Sequence, residues 1–326
     1  MNTTKISFKG YDATPLKRIY VEERSASPFM SEIKQVGRAE NVEISAIPSS
    51  KKWIQDTKVI LEDNSKPLLI ADNSRDNEFI EQIKRLHGIN TFVSSSYIEG
   101  GNCFIGTYPN GEKWMLIGSD AEPYSNKKFI GGAYNIKPQN IHFIPQQDYH
   151  LDVTMRPIGF PYILVDDPQL ALKHLNEINV DDNTWLEKEK MKIDLENNDL
   201  GYRRMYSSCD EVINKLKNLG FKPIRIAGVW SDEINFMNAI INKHQDGKIS
   251  YITNSSKCKS PFKSKLQEIF EQDLRKAIPN LDKIYYIQGE PPINNNKINY
   301  LMHMLNLHAG GLHCMSLEEP NFETLA

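Results

Sequence analysis

The chain has 326 residues, of which 40% are hydrophobic and 25% charged, and it carries a formal net charge of -3. This is the balance of a globular protein that buries a sizeable core, and it excludes a disordered chain. No long Lys/Arg run is present to bind nucleic acid or an anionic membrane. No stretch approaches the roughly 20 apolar residues of a membrane span, and Met1-Asn2-Thr3-Thr4-Lys5 lacks the apolar core of a secretory signal. The expectation is a cytoplasmic protein with no nucleic-acid or membrane partner. Cys103, Cys209, Cys258 and Cys314 lie far apart, without the close pairs of zinc sites or disulfide frameworks, so reduced thiols are expected.

Along the chain the same order of signals recurs: a polar cluster, a strand, a turn, a second strand, a helical stretch and a further strand. The first unit opens at Trp53-Ile54-Gln55-Asp56 and runs through strands at 58–61 and 67–70. Phe79, Ile80, Ile83 and Leu86 then share one helical face, Gly88 suits the helix end, and Thr91-Phe92-Val93 resumes a strand. The second unit opens at Glu99-Gly100-Gly101-Asn102, turns at Pro109-Asn110-Gly111, continues in Trp114–Ile117 and closes at Ile141–Ile144, with its helix weak or missing. The third opens at His150-Leu151-Asp152 and crosses Tyr162–Val165. Helical patterns follow at 170–175 and 212–219, around a charged insertion at about 176–208 that reads as a lid or a solvated helix. The fourth opens at Asn235-Phe236-Met237-Asn238, with strands at 249–252 and 284–287 around a helix bearing Leu266, Ile269, Phe270 and Leu274. A fifth follows a helix with Ile298, Leu301, Met302 and Leu305, and opens at Gly311-Leu312-His313-Cys314.

Units of roughly 50 to 75 residues recurring in this way fit radial repetition, in which each blade buries its faces against its neighbours. The last blade would borrow strands from the amino-terminal segment, at Lys5–Phe8 and Val42–Ser45. This register brings Asp56, Glu99, His150, Asp152, Asn235 and Cys314 to one central channel. An ordinary two-domain α/β protein, in which these residues never meet, fits the same pattern.

The residue types at the unit openings carry the chemistry. A cysteine nucleophile needs donors, positive charge or a base nearby, and Gly310-Gly311 before Cys314 allows unusual backbone angles and close ligand approach. By itself such a string also fits a buried, inert cysteine. His150 and Asp152, two apart on what looks like a strand, point to one side. There an imidazole moves protons near neutral pH, and a carboxylate accepts the N–H groups of a guanidinium. Asp56 and Glu99 taken singly are ordinary turn carboxylates. Together, three acids, a histidine and a cysteine fit a metal site or a Cys-His hydrolase, but no spacing matches a metalloenzyme motif. Ordinary Cys-His hydrolysis does not call for several acids, and a cationic guanidino substrate accounts for them best. Arg156, Arg203 and Arg204 are candidates to meet a substrate carboxylate.

In order and spacing, Trp53–Asp56, Ile98–Asn102, His150–Asp152, Asn235–Ala239 and Gly310–Ser316 resemble the guanidino-group-modifying (pentein) superfamily. The likeness is greatest to its agmatine deiminase and bacterial peptidylarginine deiminase branch. It implies a single catalytic domain over 1–326 with the α/β fold of a five-bladed propeller. It also implies attack by Cys314 on the guanidinium carbon, giving a thiouronium-type adduct, and proton transfer by His150. Asp56 and Asp152 would clamp guanidinium nitrogens, and Glu99 would hold His150 or join the clamp. Trp53, Asn102, Asn235 and Arg156 would complete the substrate site. No metal or organic cofactor takes part in most relatives, although calcium supports some animal members. The branch usually has Arg-Asp then Gly-Pro in its first motif, where this chain has Gln55-Asp56-Thr57-Lys58. The implied reaction is deimination of peptidyl-arginine, agmatine or arginine. An amidinotransferase and a silent guanidinium-binding module are the alternatives.

Overall fold

The computed structural model describes residues 13–63, 66–72, 76–180, 184–197, 206–256, 260–290, 301 and 310–322. Its strands and helices follow one plan, in which an antiparallel hairpin is extended, after a helix, by a parallel third strand. The amino-terminal part supplies β1 (Leu16–Glu22), α1 (Met30–Glu40) and β2 (Glu43–Ile47), with β1 and β2 parallel. A short helix α2 (Ile54–Thr57) leads into β3 (Lys58–Asp63), β4 (Lys66–Ala71), α3 (Asn77–His87) and β5 (Asn90–Val93). The next sheet holds β6 (Cys103–Thr107), β7 (Lys113–Gly118), α4 (Lys127–Tyr134) and β8 (Ile141–Ile144). Then come β9 (Met155–Gly159), β10 (Tyr162–Asp166), α5 (Pro168–Glu177), α6 (Trp185–Glu196), α7 (Cys209–Asn218) and β11 (Lys222–Ile226).

A small hairpin, β12 (Val229–Ser231) with β13 (Ile234–Asn235), precedes the sheet of β14 (Ile240–Lys243), β15 (Ile249–Asn254), α8 (Pro261–Ala277) and β16 (Leu281–Ile287). Last comes β17 (Ser316–Pro320), which lies antiparallel on β1, so the chain's end completes the sheet that its beginning opened. Three-stranded sheets thus recur in the orders β3-β4-β5, β6-β7-β8, β9-β10-β11, β14-β15-β16 and β17-β1-β2.

Local chemistry accounts for the elements. The middle strands β7 and β15 are buried along their whole length, as expected of strands covered on both faces. Asp167 caps α5 through the amides of Gln169 and Leu170, with Pro168 preset for the first turn. Ser208 and Glu211 form a reciprocal capping box on α7. Gly88 ends α3 at φ 68°, a backbone angle that suits glycine. Leu266, Phe270 and Leu274 of α8 are fully buried, each contributing about 1.5–3 kcal/mol by leaving water. Phe270 stacks on Phe236 with ring centroids 4.8 Å apart. Among the described residues no helix is long and apolar enough to cross a membrane.

Several expectations change. The first described strand is Leu16–Glu22; its Arg18 is neutralised by Glu319 and Glu43 at 2.6 Å each, so its polar look hid a buried strand. Lys5–Phe8 lies outside the described residues, while Val42–Ser45 overlaps β2. The second unit does have its helix, α4, capped by Asn126 and closed by Asn135 in the left-handed region. Residues 151–153 form a 3-10 turn rather than a strand. In the insertion, α6 seats Met191 and Leu195 in the main apolar cluster. Of the expected helix at 298–305 only Leu301, which is buried, is described.

Candidate active site

Each chemical group of interest stands just before the first strand of a different sheet. Asp56 sits on α2 ahead of β3, and Glu99 precedes the turn into β6. His150 caps, and Asp152 lies within, the 3-10 turn that leads into β9, Asn238 leads into β14, and Cys314 leads into β17. The repeat therefore delivers them to one end of the sheets. The backbone ties them further, since Gln55 N–H donates to the carbonyl of Cys314 at 3.2 Å.

Gly101 marks where three of the groups meet. A Cβ at this position would lie 2.6 Å from His150 Nδ1, 3.1 Å from Asp56 Oδ1 and 3.2 Å from Asp152 Oδ1. Glycine lets the three groups pack this close to the backbone. All three atoms are buried, and none has a hydrogen-bond partner among the described residues. Such atoms are costly to bury unless something satisfies them. Neighbouring Gly100 is also required to be small, because a Cβ there would come within 2.1 Å of the Gln55 carbonyl oxygen.

The sulfur adjoins this cluster. Cys314, 2% exposed, donates its S–H to Asp152 Oδ2 at 3.1 Å and receives the Asn238 amide N–H at 3.1 Å. Asn238 also donates to Asp152 Oδ2 at 3.0 Å, and its Oδ1 accepts from Gly311 N and His313 N at 3.0 and 2.9 Å. The loop before Cys314 is further pinned by Asn254 Oδ1, which accepts from Leu312 N at 2.9 Å. Gly310 has φ 67°, and a Cβ there would collide with Cys314 Sγ at 2.4 Å, so the sequence places glycine where the loop turns over the thiol.

Electrostatics divide the labour. His150 Nε2 hydrogen-bonds Glu99 Oε2 at 2.8 Å, and its Nδ1 lies 3.7 Å from Asp56 Oδ1. Burial alone would lower the imidazole's pKa, but the Glu99 bond and the charges of Asp56 and Asp152 outweigh it and carry it up to about 9. Burial lifts the Asp56 carboxyl to about 7, helped by Asp152 and Glu99 and opposed by His150. Burial also pushes on Asp152, yet His313, His150 and the thiol hold it below the usual carboxylate range. Cys314 is pushed well above the usual thiol range by burial and then by Asp152 and Asp56. At neutral pH the cavity therefore holds one imidazolium, a protonated thiol and more carboxylate charge than the imidazolium offsets, which suits a cation.

No protein-family model matches the chain, and no curated protein matches it in sequence. Among solved structures, C. jejuni agmatine deiminase superposes with a TM-score of 0.57 at 17% identity, covering 96% of each chain. A substrate-bound variant of the same enzyme gives 0.55 at 16%, again over 96% of each. The chain shares the α/β fold of these two structures.

Within this fold the structure brings Asp56, Glu99, His150, Asp152 and Cys314 together, and it gives other expected residues different partners. Arg156 needs correction: it is fully buried, with Nη2 3.3 Å from Glu318 Oε1 and its guanidinium over Phe104, so it does not meet a substrate carboxylate. Asn235 also needs correction. Its amide donates to Val153 O at 2.9 Å and accepts from Met237 N and Asn238 N, so it shapes the turn and leaves the sulfur to Asn238. Asn102 is held by Asp120 and Gln146 at 2.8 and 3.0 Å, away from the cluster at Gly101. Trp53 packs beside the apolar cluster containing Leu312 and Met315, with the Lys52 ammonium 4.9 Å from its ring centre. Arg203 and Arg204 lie outside the described residues. Asn238 and His313, whose Nδ1 is 2.7 Å from Asp152 Oδ2, were not singled out from sequence, although both lie inside quoted motifs.

Proposed function

We propose that this chain is a hydrolytic guanidine deiminase, an enzyme that converts an arginine-type guanidino group to a citrulline-type ureido group and releases ammonia. The supporting observation is the pair of buried, unmatched carboxylate oxygens, Asp56 Oδ1 and Asp152 Oδ1. They face the same point as His150 Nδ1, and a thiol stands at the far oxygen of Asp152. A planar cation with N–H groups along two edges satisfies both oxygens at once. In the same reading the five three-stranded sheets are the blades of a five-bladed propeller, one catalytic domain with the site at the blade openings.

The chemistry follows from the protonation states. Burial and carboxylate charge keep Cys314 protonated; a bound guanidinium offsets that charge, and the thiol gives its proton to solvent as the substrate settles. The thiolate attacks the guanidinium carbon, forming the C–S bond. His150, an imidazolium held by Glu99, gives the Nδ1 proton to the departing nitrogen, and ammonia leaves as the C–N bond breaks. The neutral imidazole then takes a proton from water, whose oxygen adds to the thiouronium carbon. Collapse breaks the C–S bond, giving the ureido product and free Cys314.

Agmatine is the first substrate to test, since the two superposed structures bear that enzyme's name; free arginine and an arginine peptide follow. Deimination raises the product mass by about one dalton and releases ammonia with no amine added, and Cys314→Ala abolishes both. A new guanidine formed on an added amine, without ammonia, would make the chain an amidinotransferase. Binding without turnover in the native protein would make it a silent module.

A further inference from the structure

We propose that His313 is a positioning residue, which turns Asp152 so that one carboxylate oxygen holds the nucleophile's neighbours and the other is presented to the substrate. This rests on the deiminase reading of the same cavity. Asp152 Oδ2 collects three donors: His313 Nδ1 at 2.7 Å, Asn238 Nδ2 at 3.0 Å and Cys314 Sγ at 3.1 Å. Loading all three on one oxygen fixes the carboxylate plane and leaves Oδ1 without a hydrogen bond, on the side of Gly101, His150 and Asp56.

Behind the ring stands a second carboxylate, to which the unprotonated Nε2 makes no hydrogen bond. His313 Nε2 lies 3.4 Å from Glu318 Oε1, and that oxygen lies 3.3 Å from Arg156 Nη2. The side chains of Arg156, Glu318, His313 and Asp152 are all at most 1% exposed, so a continuous dry chain of polar groups runs from β9 and β17 to the cavity. A buried chain of this kind is costly unless it fixes something, and the group at its end is the one that touches both sulfur and cavity. Burial and the nearby Arg156 and His150 charges keep the imidazole uncharged, with its pKa down at about 4 against the pull of Asp152. His313 thus supplies an N–H without adding a second cation beside the guanidinium.

The test compares two thiol reagents of equal reach, cationic chloroacetamidine and neutral chloroacetamide, by their rates of modifying Cys314 in the full chain near neutral pH. Only the amidine needs a correctly turned Asp152. The native protein should prefer the amidine. His313→Asn, whose amide N–H falls near the Nδ1 position, should keep that preference, whereas His313→Gln, whose amide reaches the Nε2 position instead, should lose about tenfold of it. A purely structural histidine would slow both reagents alike. If the native protein shows the preference and His313→Gln retains it, this proposal fails alone. If the native protein shows none, the deiminase reading fails and this proposal with it. Melting curves screen the variants, and His313→Leu enters the same comparison if His313→Gln does not fold.

Discussion

Cys314 donates its thiol proton to Asp152 Oδ2 across 3.1 Å, and the other oxygen of the same aspartate is buried beside Gly101 without a hydrogen-bond partner among the described residues. One carboxylate thereby senses both the nucleophile and whatever binds in the cavity. In the free protein burial, and after it this charge, pushes the thiol pKa well above its usual range. In the proposed reading a bound cation offsets this charge, so cationic thiol reagents should react with Cys314 faster than neutral ones.

Gly101→Ala tests whether turnover needs His150, Asp56 and Asp152 where Gly101 lets them stand. The added methyl would press on His150 Nδ1 at 2.6 Å and on both aspartates, and the imidazole cannot retreat freely because Glu99 holds it. Turnover should fall at least about a hundredfold, with the melting temperature changed far less than the rate. Steady-state ammonia release beside a thermal melt checks this; an active alanine variant would place the substrate elsewhere.

The pH profile should carry the mark of Glu99. His150 acts as the acid, so kcat/KM should fall on the alkaline side as the imidazole loses its proton near pH 9. The Glu99 bond is the leading influence raising that value, and Glu99→Gln should move the alkaline limb to lower pH by about one unit. A limb that stays in place in the variant would assign the titration to another group.

Asp56 should trade stability for function. Its folded pKa of about 7 lies above the unfolded carboxylate value, so its contribution is most favourable at low pH and is lost as pH rises through 7. At pH 8 the ionised, buried form is a net cost. Asp56→Asn should therefore stabilise the protein at about pH 8 by about 1 kcal/mol, a gain that disappears near pH 4, while turnover is lost. Denaturant melts at the two pH values read the effect directly.

The sequence made some of this legible and concealed the rest for physical reasons. Residues that open the units carry distinctive chemistry, so Asp56, Glu99, His150, Asp152 and Cys314 stand out once the repeat is seen, and the repeat places them at one end of the sheets. Within Asn235–Asn238 the two asparagines are equivalent on paper. Only the turn built by Asn235 shows that its neighbour reaches the sulfur. Arg156 reads as a surface cation because its partner, Glu318, is 162 residues away in the chain. His313 was overlooked for the opposite reason, its position beside Cys314. Adjacent residues point apart on a strand, but these two lie on a turn and both reach Asp152.

Asn238 should be indispensable for its amide nitrogen. Asn238→Asp keeps the oxygen that gathers Gly311 and His313 N–H groups, so the loop should still fold. It replaces the donor to Asp152 and Cys314 with a second anion, which pushes the thiol pKa further up. The expected outcome is a loss of kcat of about a hundredfold or more with a near-native circular dichroism spectrum.

The most direct test is rapid-quench intact-mass analysis of the protein mixed with agmatine, arginine or an arginine peptide, followed by peptide mapping. The account predicts a transient adduct on Cys314 equal to the substrate less ammonia, decaying as the ureido product forms. Turnover with no adduct at Cys314, or turnover that survives Cys314→Ala, would contradict it.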